Sequence, residues 1–358
     1  MKICILNDTH AGVRNGSEVF LGNTEKFYSK VLFPYLLEHG INRIIHLGDY
    51  YDHRKFVNFK VLSRDREMFL SQLDVHNIHM DIIPGNHDVY HKNSNSLCSL
   101  TEILEKFSSK VKVHMDPTVL NFDGFPIALV PWISPENEKT CLDFIAKVPS
   151  SVLMGHFDIS GFEMMKGGSI SHGMDAQMLC NYEMVLSGHF HTKSSKDNIH
   201  YLGTQFETTW SDCNDPKFFH IFDTDTRKLE AVRNPHIIFH RIVYDDTDSN
   251  KVSNWLGRFD FSHVKNAFVK VVVSNKGNPI LFDKFIDRIQ SMGPFEIKIV
   301  ETFSEFTSEQ VQDNLVSLED TNSLLLSYID AVETDLDKNK LKKRLQELYV
   351  EAQNFEIV

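Results

Sequence analysis

Apolar and polar positions fall in blocks along the first part of the chain. Six short apolar runs each stop at a residue that can hold a metal ion or anchor a tight turn beside one. Ile3-Cys4-Ile5-Leu6 leads into Asn7-Asp8-Thr9-His10, and Arg43-Ile44-Ile45-His46-Leu47 into Gly48-Asp49-Tyr50-Tyr51-Asp52. Ile82-Ile83-Pro84 leads into Gly85-Asn86-His87-Asp88, and Val152-Leu153-Met154 into Gly155-His156. Met184-Val185-Leu186-Ser187 runs into Gly188-His189-Phe190-His191, and Ile127-Ala128-Leu129-Val130 ends at Pro131-Trp132. Runs of this length and apolarity predict strands buried on both faces. Ligands of an α/β sheet bind outside the carboxyl ends of its strands. Five strand ends therefore deliver Asp, His and Asn side chains to one rim, the layout a two-metal hydrolase needs.

Helical periodicity alternates with these runs. Asn23 and Thr24 are placed to cap a helix reaching His39, with Gly40 ending it and Pro34 kinking it. A second helix is predicted over residues 61–73, with Leu62, Met68, Phe69 and Leu73 near its inner face. Such alternation predicts parallel strands covered on both faces. Residues 200–204, 218–222 and 229–232 read as closing strands and a hairpin, turning at Asp223-Thr224-Asp225-Thr226. A main α/β domain over residues 1–240 is expected, with a boundary near 240–258 where Asp245 to Asn250 are loop-like. Residues 258–300 follow as a small βαβ-like α+β domain: strand 268–273, helix 280–290, strand 295–300. Residues 301–319 read as an acidic linker and 320–358 as a helical partner-binding tail.

Composition changes the picture in three places. With 42% hydrophobic and 24% charged residues over 358 positions, the chain reads as a globular protein large enough for two domains. No run of about 18 apolar residues spans a membrane, no leader precedes the first strand, and a cytoplasmic setting is expected. Cys4, Cys98, Cys141, Cys180 and Cys213 are odd in number, scattered and without a CxxC pair, which predicts reduced thiols and no zinc ligand. The net charge of −12 runs against nucleic-acid binding, where cations supply most non-specific affinity. Two divalent ions would add four positive charges at the rim. The acids are also unevenly spread, since residues 299–337 hold ten Asp or Glu and no Lys or Arg.

A pair of divalent ions about 3.5–4 Å apart clamps the attacking and leaving oxygens of a phosphoryl displacement. The site needs a bridging carboxylate and neutral imidazoles. Asp49, at a Gly-led turn after a strand, suits the bridge. Asp8 and His10 alternate on one strand end and so point the same way, as do His189 and His191. Asn86 adds a neutral oxygen and His156 an imidazole. Mixed carboxylate and imidazole ligands favour Mn²⁺, Fe²⁺ or Zn²⁺ over Mg²⁺. His87 follows Asn86 directly and is expected to face the substrate, where it can protonate the leaving oxygen. Asp88 is placed to orient that imidazole or the loop beside it.

In order along the chain these motifs read D-x-H, G-D-x-x-D, G-N-H-D, G-H and G-H-x-H. Each is weak alone; all five in order, each after an apolar run, resemble the calcineurin-like metallophosphoesterase superfamily. The resemblance implies a four-layer α/β/β/α sandwich and a dinuclear site. One ion would be held by Asp8, His10, Asp49 and His191, the other by Asp49, Asn86, His156 and His189, with His87 as the catalytic histidine. Within the superfamily the chain is similar to the SbcD-type subunits of DNA double-strand-break repair nucleases, most of all those of T-even-type phages. That likeness rests on Met1-Lys2-Ile3, Asp8-Thr9-His10-Ala11-Gly12, Pro131-Trp132, Ser187 to His191 and Tyr201-Leu202-Gly203-Thr204. It implies a Mn²⁺-dependent double-strand exonuclease and single-strand endonuclease. It also implies an SbcC-type coiled-coil ABC ATPase as partner and a homodimer within a heterotetramer. Many cellular and archaeal members carry a phosphate-contacting His where this chain has Asp52, with His53 beside it, so either residue is a candidate for that contact.

Other histidines, such as His39, His76, His79, His114, His236 and His263, read as ordinary surface or core residues. Arg54, Lys55, Lys60, Arg64 and Arg66 form either a DNA-backbone contact or a solvated helix face. In the tail, Leu325, Ile329 and Val332, then Leu341, Leu345, Leu348 and Ala352, make apolar stripes suited to docking on the ATPase. A phosphatase of protein or nucleotide substrates, and a scaffold without catalysis, are the alternatives. The former accommodates the negative charge better; the intact ligand set opposes the latter.

Overall fold

A computed structural model describes residues 1–163, 171, 173–248, 252, 256, 258–301, 338, 340–342 and 344. Met1–Met165 together with Ser169–Glu301 form one compact unit. The linker at 302–319 and nearly all of the tail at 320–358, with its stripes and its docking role, lie outside the described residues. Residues 338, 340–342 and 344 are helical.

Two six-stranded sheets build the main domain. In the first, β1 (Lys2–Leu6), β2 (Arg43–His46), β3 (His79–Ile82) and β6 (Val111–Val113) are parallel; β13 (Phe218–Asp223) and β14 (Lys228–Arg233) close it antiparallel beside β1. In the second, β8 (Phe125–Val130), β9 (Val152–Gly155), β10 (Met184–Ser187) and β12 (Ile199–Tyr201) are parallel, with antiparallel edges β7 (Thr118–Phe122) and β11 (Ser194–Lys196). A hairpin of β4 (Val89–His91) and β5 (Ser94–Cys98) stands apart.

The period-2 alternation of each strand makes the layers. Ile3 and Ile5 meet Ile127, Leu129, Val152 and Met154 in a core between the sheets. Cys4 and Leu6 face the other way, onto Phe27, Leu32, Leu36 and Phe69 of the covering helices. Ala128, Val130, Leu153 and Val185 face outward onto Cys141 and Ile145 of the helix Glu138–Lys147. The inner strands of the two sheets are therefore buried on both faces, as the sequence predicts.

Helix α1 is continuous through Glu18–Phe27, Tyr28–Leu32 and Phe33–Glu38. It begins after Ser17, ahead of the expected caps: Asn23 and Thr24 are buried inside it. Pro34 has no N–H to give and crowds the carbonyl a turn back; the preceding π turn, Tyr28–Leu32, absorbs that misfit. Helix α2 runs through Phe59–Asp65, Arg66–Leu70 and Ser71–Val75, and the Asn58 side chain accepts from Lys60 N at its start.

A third sheet orders β15 (Phe239–Asp245), β16 (Phe268–Asn275) and β17 (Glu296–Glu301), all parallel. The helix Pro279–Gln290, capped by Asn278, buries Leu281, Phe282, Phe285 and Ile289 against Val269, Val271 and Tyr244. The sheet thus takes in residues 239–245, ahead of the 258–300 range read from sequence. The loop-like acids there end a strand rather than precede a domain. Phe20 of α1 packs on Phe239 and Phe268, with ring centroids 6.0 and 5.5 Å apart.

Among the described residues, which include all five cysteines, there is no disulfide. No described helix is long and apolar enough to cross a membrane.

Candidate metal centre

The expected ligands converge, though not by the route expected for some of them. Asp8 and His10 lie beyond the end of β1, and His189 and His191 beyond β10, so strand alternation does not aim them. Left-handed backbone does: Asp8, His10, Asp49 and His189 have φ of 48°, 41°, 54° and 86°. Non-glycine residues held there store strain, and such strain collects at functional sites. Gly48 (φ 92°) turns the chain into Asp49. Gly48 and Gly85 pack back to back, and a Cβ on Gly85 would stand 2.2 Å from Asp49 Oδ1. Only glycine allows that approach.

Among the described residues three groups result, the donor atoms within each lying within 4.8 Å of one another: Asp8 with His10 and His191; Asp49 with His156 and His189; and His10 with Asp52 and His87. Asp49 Oδ2 lies 3.5 Å from His156 Nε2 and 3.9 Å from His10 Nε2, between the first two groups. Asn86 Oδ1 is 3.0 Å from His156 Nε2. The Nε2 atoms of His10 and His191 stand 3.1 Å apart, and His10 Nε2 is 4.0 Å from Asp8 Oδ1. So many inward lone pairs with so few protons between them suit a cation, and the mixture of carboxylate, amide and imidazole suits a divalent transition metal. The donor set fits two ions sharing Asp49.

For two of the rings the protonation state agrees with that use. Burial holds His10 well below the usual imidazole range, and burial together with His156 takes His189 down to about 3. Both rings are therefore neutral and keep a lone pair to offer. Burial also opposes a charge on His156, but Asp49 and Asp8 outweigh it and push that ring up to about 9. Asp49 is held well below the carboxylate range because His156 and His10 overcome its burial. Burial raises Asp8 and Asp52.

The residues around the donors fix ring orientation. His156 Nδ1 donates to Leu47 O at 2.8 Å, leaving Nε2 inward. His87 Nδ1 donates to Asp52 O at 2.6 Å, so the Asp52 backbone orients this imidazole. Asp88 does not. Its buried carboxylate accepts four backbone N–H groups instead, from Asp49 (2.7 Å), Gly85 (2.9 Å), Tyr50 (3.0 Å) and Tyr51 (3.3 Å). Asp88 is the clamp on the Asp49 loop. The Asp52 side chain stands 3.6 Å from the buried His10 Nδ1 and 3.7 Å from His53 Nε2. His53 is the more exposed, and its ring stacks on Phe56.

Sequence reasoning missed a buried relay behind His191. The Thr208 hydroxyl lies 3.5 Å from His191 Nδ1 and donates to Asp212 Oδ2 at 3.1 Å. Buried Lys217 joins Asp212 (2.6 Å), Asp215 (2.8 Å) and the His191 carbonyl (3.0 Å). The Thr209-x-x-Asp212 spacing of a capping box was a visible signal, and Thr209 does cap Trp210–Asp212. Nothing in one sequence marked Lys217. The basic segment is largely engaged: Lys60 pairs with Glu18 (3.1 Å), Arg64 with Glu25, and Arg66 lies 4.6 Å over the Phe107 ring.

A sandwich of two mixed sheets with Asp, His and Asn side chains converging at its strand ends defines a metal-dependent phosphoesterase. The chain belongs to the calcineurin-like phosphoesterase family, whose model matches residues 1–193. It is 33% identical over 355 residues to Exonuclease subunit 1 of Enterobacteria phage T4, covering 98% of this chain and 99% of that protein. Among solved structures, a novel archaeal phosphodiesterase is similar at 14% identity and a TM-score of 0.36, over 65% of this chain and 100% of that one. A glutamine-dependent NAD⁺ synthetase from Acinetobacter baumannii reaches a TM-score of 0.28 at 8% identity, over 98% and 72%. At those scores neither structure bears on fold or function.

Proposed function

We propose that the protein is a DNA nuclease subunit that hydrolyses phosphodiesters with two divalent ions, Mn²⁺ foremost. The observation that carries this reading is Asp49 standing between two donor groups with His87 beside them. End-to-end similarity to a phage exonuclease subunit supports DNA as the substrate.

Asp8, His10, Asp49 and His191 would hold one ion, and Asp49, Asn86, His156 and His189 the other. Bound there, the ions would supply Lewis-acid polarisation of a phosphoryl oxygen and an acidified water. The remaining steps belong to the chain. Neutral His10 and His189 add no negative charge, so the site would stay cationic with its ions bound. Asp88 fixes the loop that carries Asp49. With Nδ1–H bonded to Asp52 O, the doubly protonated His87 ring would hand its Nε2 proton to the departing sugar oxygen and return to the neutral Nδ1–H form. Asp52, through His10, supports the donor set, while His53 is the better placed of the two to meet phosphate from solvent.

The reading extends to a partner. An SbcC-type coiled-coil ABC ATPase would dock on residues 320–358, in a heterotetramer built on a homodimer of this chain. Deleting the chain from Asp320 onward is then expected to abolish co-purification with the ATPase and spare single-strand cleavage. The deciding experiment measures cleavage of single- and double-stranded DNA with Mn²⁺ and with EDTA, beside hydrolysis of a phosphomonoester. Metal-dependent DNA cleavage supports the proposal. Monoester hydrolysis with no DNA cleavage makes the protein a phosphatase, and inertness toward both makes it a scaffold.

A further inference from the structure

A cavity of about 430 Å³ opens beside the metal centre. Its apolar lining includes Trp132, Leu142, Phe157, Met174 and Met178, and His156 also lines it. Trp132 joins it to the donor set, its ring centroid 5.9 Å from His156 and 5.4 Å from His189. We propose that this cavity receives the nucleobase next to the scissile phosphate.

The inference rests on the nuclease reading and adds the substrate element that the cavity recognises. A phosphate bound at the ion that Asp49, His156 and His189 would hold sets its attached nucleoside within reach of Trp132. A base offers two apolar faces and a polar edge, and the cavity offers aromatic and thioether walls with polar groups set among them. Those groups are the carboxylates of Glu138, Asp158 and Asp175; no Lys or Arg is among the described lining residues. Carboxylates repel phosphate, so the sugar–phosphate backbone is excluded and the uncharged base is the part that enters. The carboxylates of Glu138, Asp158 and Asp175 are acceptors, which matches the N–H groups of a base edge. The volume falls in the range of small-ligand sites. Asp158 also accepts from the Ser171 hydroxyl, which ties the cavity wall together.

The test uses single strands with one cleavable phosphodiester among methylphosphonates, and the base deleted on one side of it or the other. Stacking of one base in such a site is expected to be worth about 5- to 150-fold in kcat/KM, lost on one side only. Met178 is 41% exposed, so a carboxylate placed there is expected to stay solvated and to spare the fold. Met178→Glu is therefore expected to slow the intact strand by a similar factor while leaving the base-deleted strand nearly unchanged. As a binding readout, 2-aminopurine at the same position, with Ca²⁺ in place of Mn²⁺, is quenched by the wild type and not by Met178→Glu. Cleavage indifferent to base deletion on both sides, or equal slowing of both strands by the variant, overturns the cavity assignment alone. Quenching without cleavage keeps the cavity and removes the nuclease reading. Neither cleavage nor quenching removes both.

Discussion

Replacing Asp88 by Asn tests whether the metal centre is held by its backbone clamp. The side chain is fully buried, and its two oxygens accept four N–H groups. Burial and neighbouring Asp49 push its carboxyl up to about 7. Yet each oxygen already meets two N–H groups, so neither has room for a proton, and the ionised form is the one the geometry fits. Asparagine keeps the shape but turns an NH₂ toward two of those donors. Two charge-assisted bonds are lost, each worth about 1.5–3 kcal/mol, for a gross loss of about 3–6 kcal/mol. Removing a buried charge offsets part of it, so a net loss of at least roughly 2 kcal/mol is expected at pH 8. The Asp49 and Gly85 amides flank the Asp49 carboxylate, the proposed bridge, so metal affinity should fall as well. Urea denaturation and Mn²⁺ titration calorimetry measure the two effects. A variant within about 0.5 kcal/mol of wild type, with unchanged Mn²⁺ affinity, would refute the clamp.

Four further outcomes are expected. His87→Ser should retain two ions by elemental analysis while turnover falls by about 10²–10⁴; loss of metal in that variant makes His87 a ligand. Asp49→Asn should weaken both ions together in titration calorimetry, and an effect on one alone assigns the bridge elsewhere. Thr208→Val should weaken the His191 site by about 10–100-fold with recovery in Thr208→Ser; equal affinities in all three proteins leave the relay without a role. Buried Asp65 accepts the Tyr50 and Tyr51 hydroxyls, and burial pushes its carboxyl up to about 7. A raised folded value means that its contribution is full below about pH 4 and is lost as pH rises to about 7, at about 1.4 kcal/mol per unit. Relative to wild type, Asp65→Asn should therefore gain up to about 4 kcal/mol between pH 4 and pH 8. A gap that urea melts show to be independent of pH sinks that account.

The sequence by itself determined the strands, their double-sided burial and the residues that meet at the rim. Runs such as Ile127-Ala128-Leu129-Val130 and Val152-Leu153-Met154 are too apolar to face water on either side, and both are interior strands of the second sheet. The polar residues that end the runs had no structural reason to recur as Asp, Asn and His, and they converge on one centre. Capping in α1 was misread because Asn and Thr favour caps without forbidding a helix interior, and Val19, Phe20 and Leu21 extend the apolar face ahead of them. Residues 239–245 were not read as a strand of the small domain because a strand's partners lie far away in sequence, and only the ladder to β16 makes them one. The tertiary structure alone decided how the ligands are aimed, since left-handed backbone at Asp8, His10, Asp49 and His189 leaves no periodic trace. It alone set Asp88 on four amides, Lys217 behind His191 and a cavity beside Trp132. Those contacts depend on where separate segments pack, a relation that a local pattern of hydrophobic and polar residues does not carry.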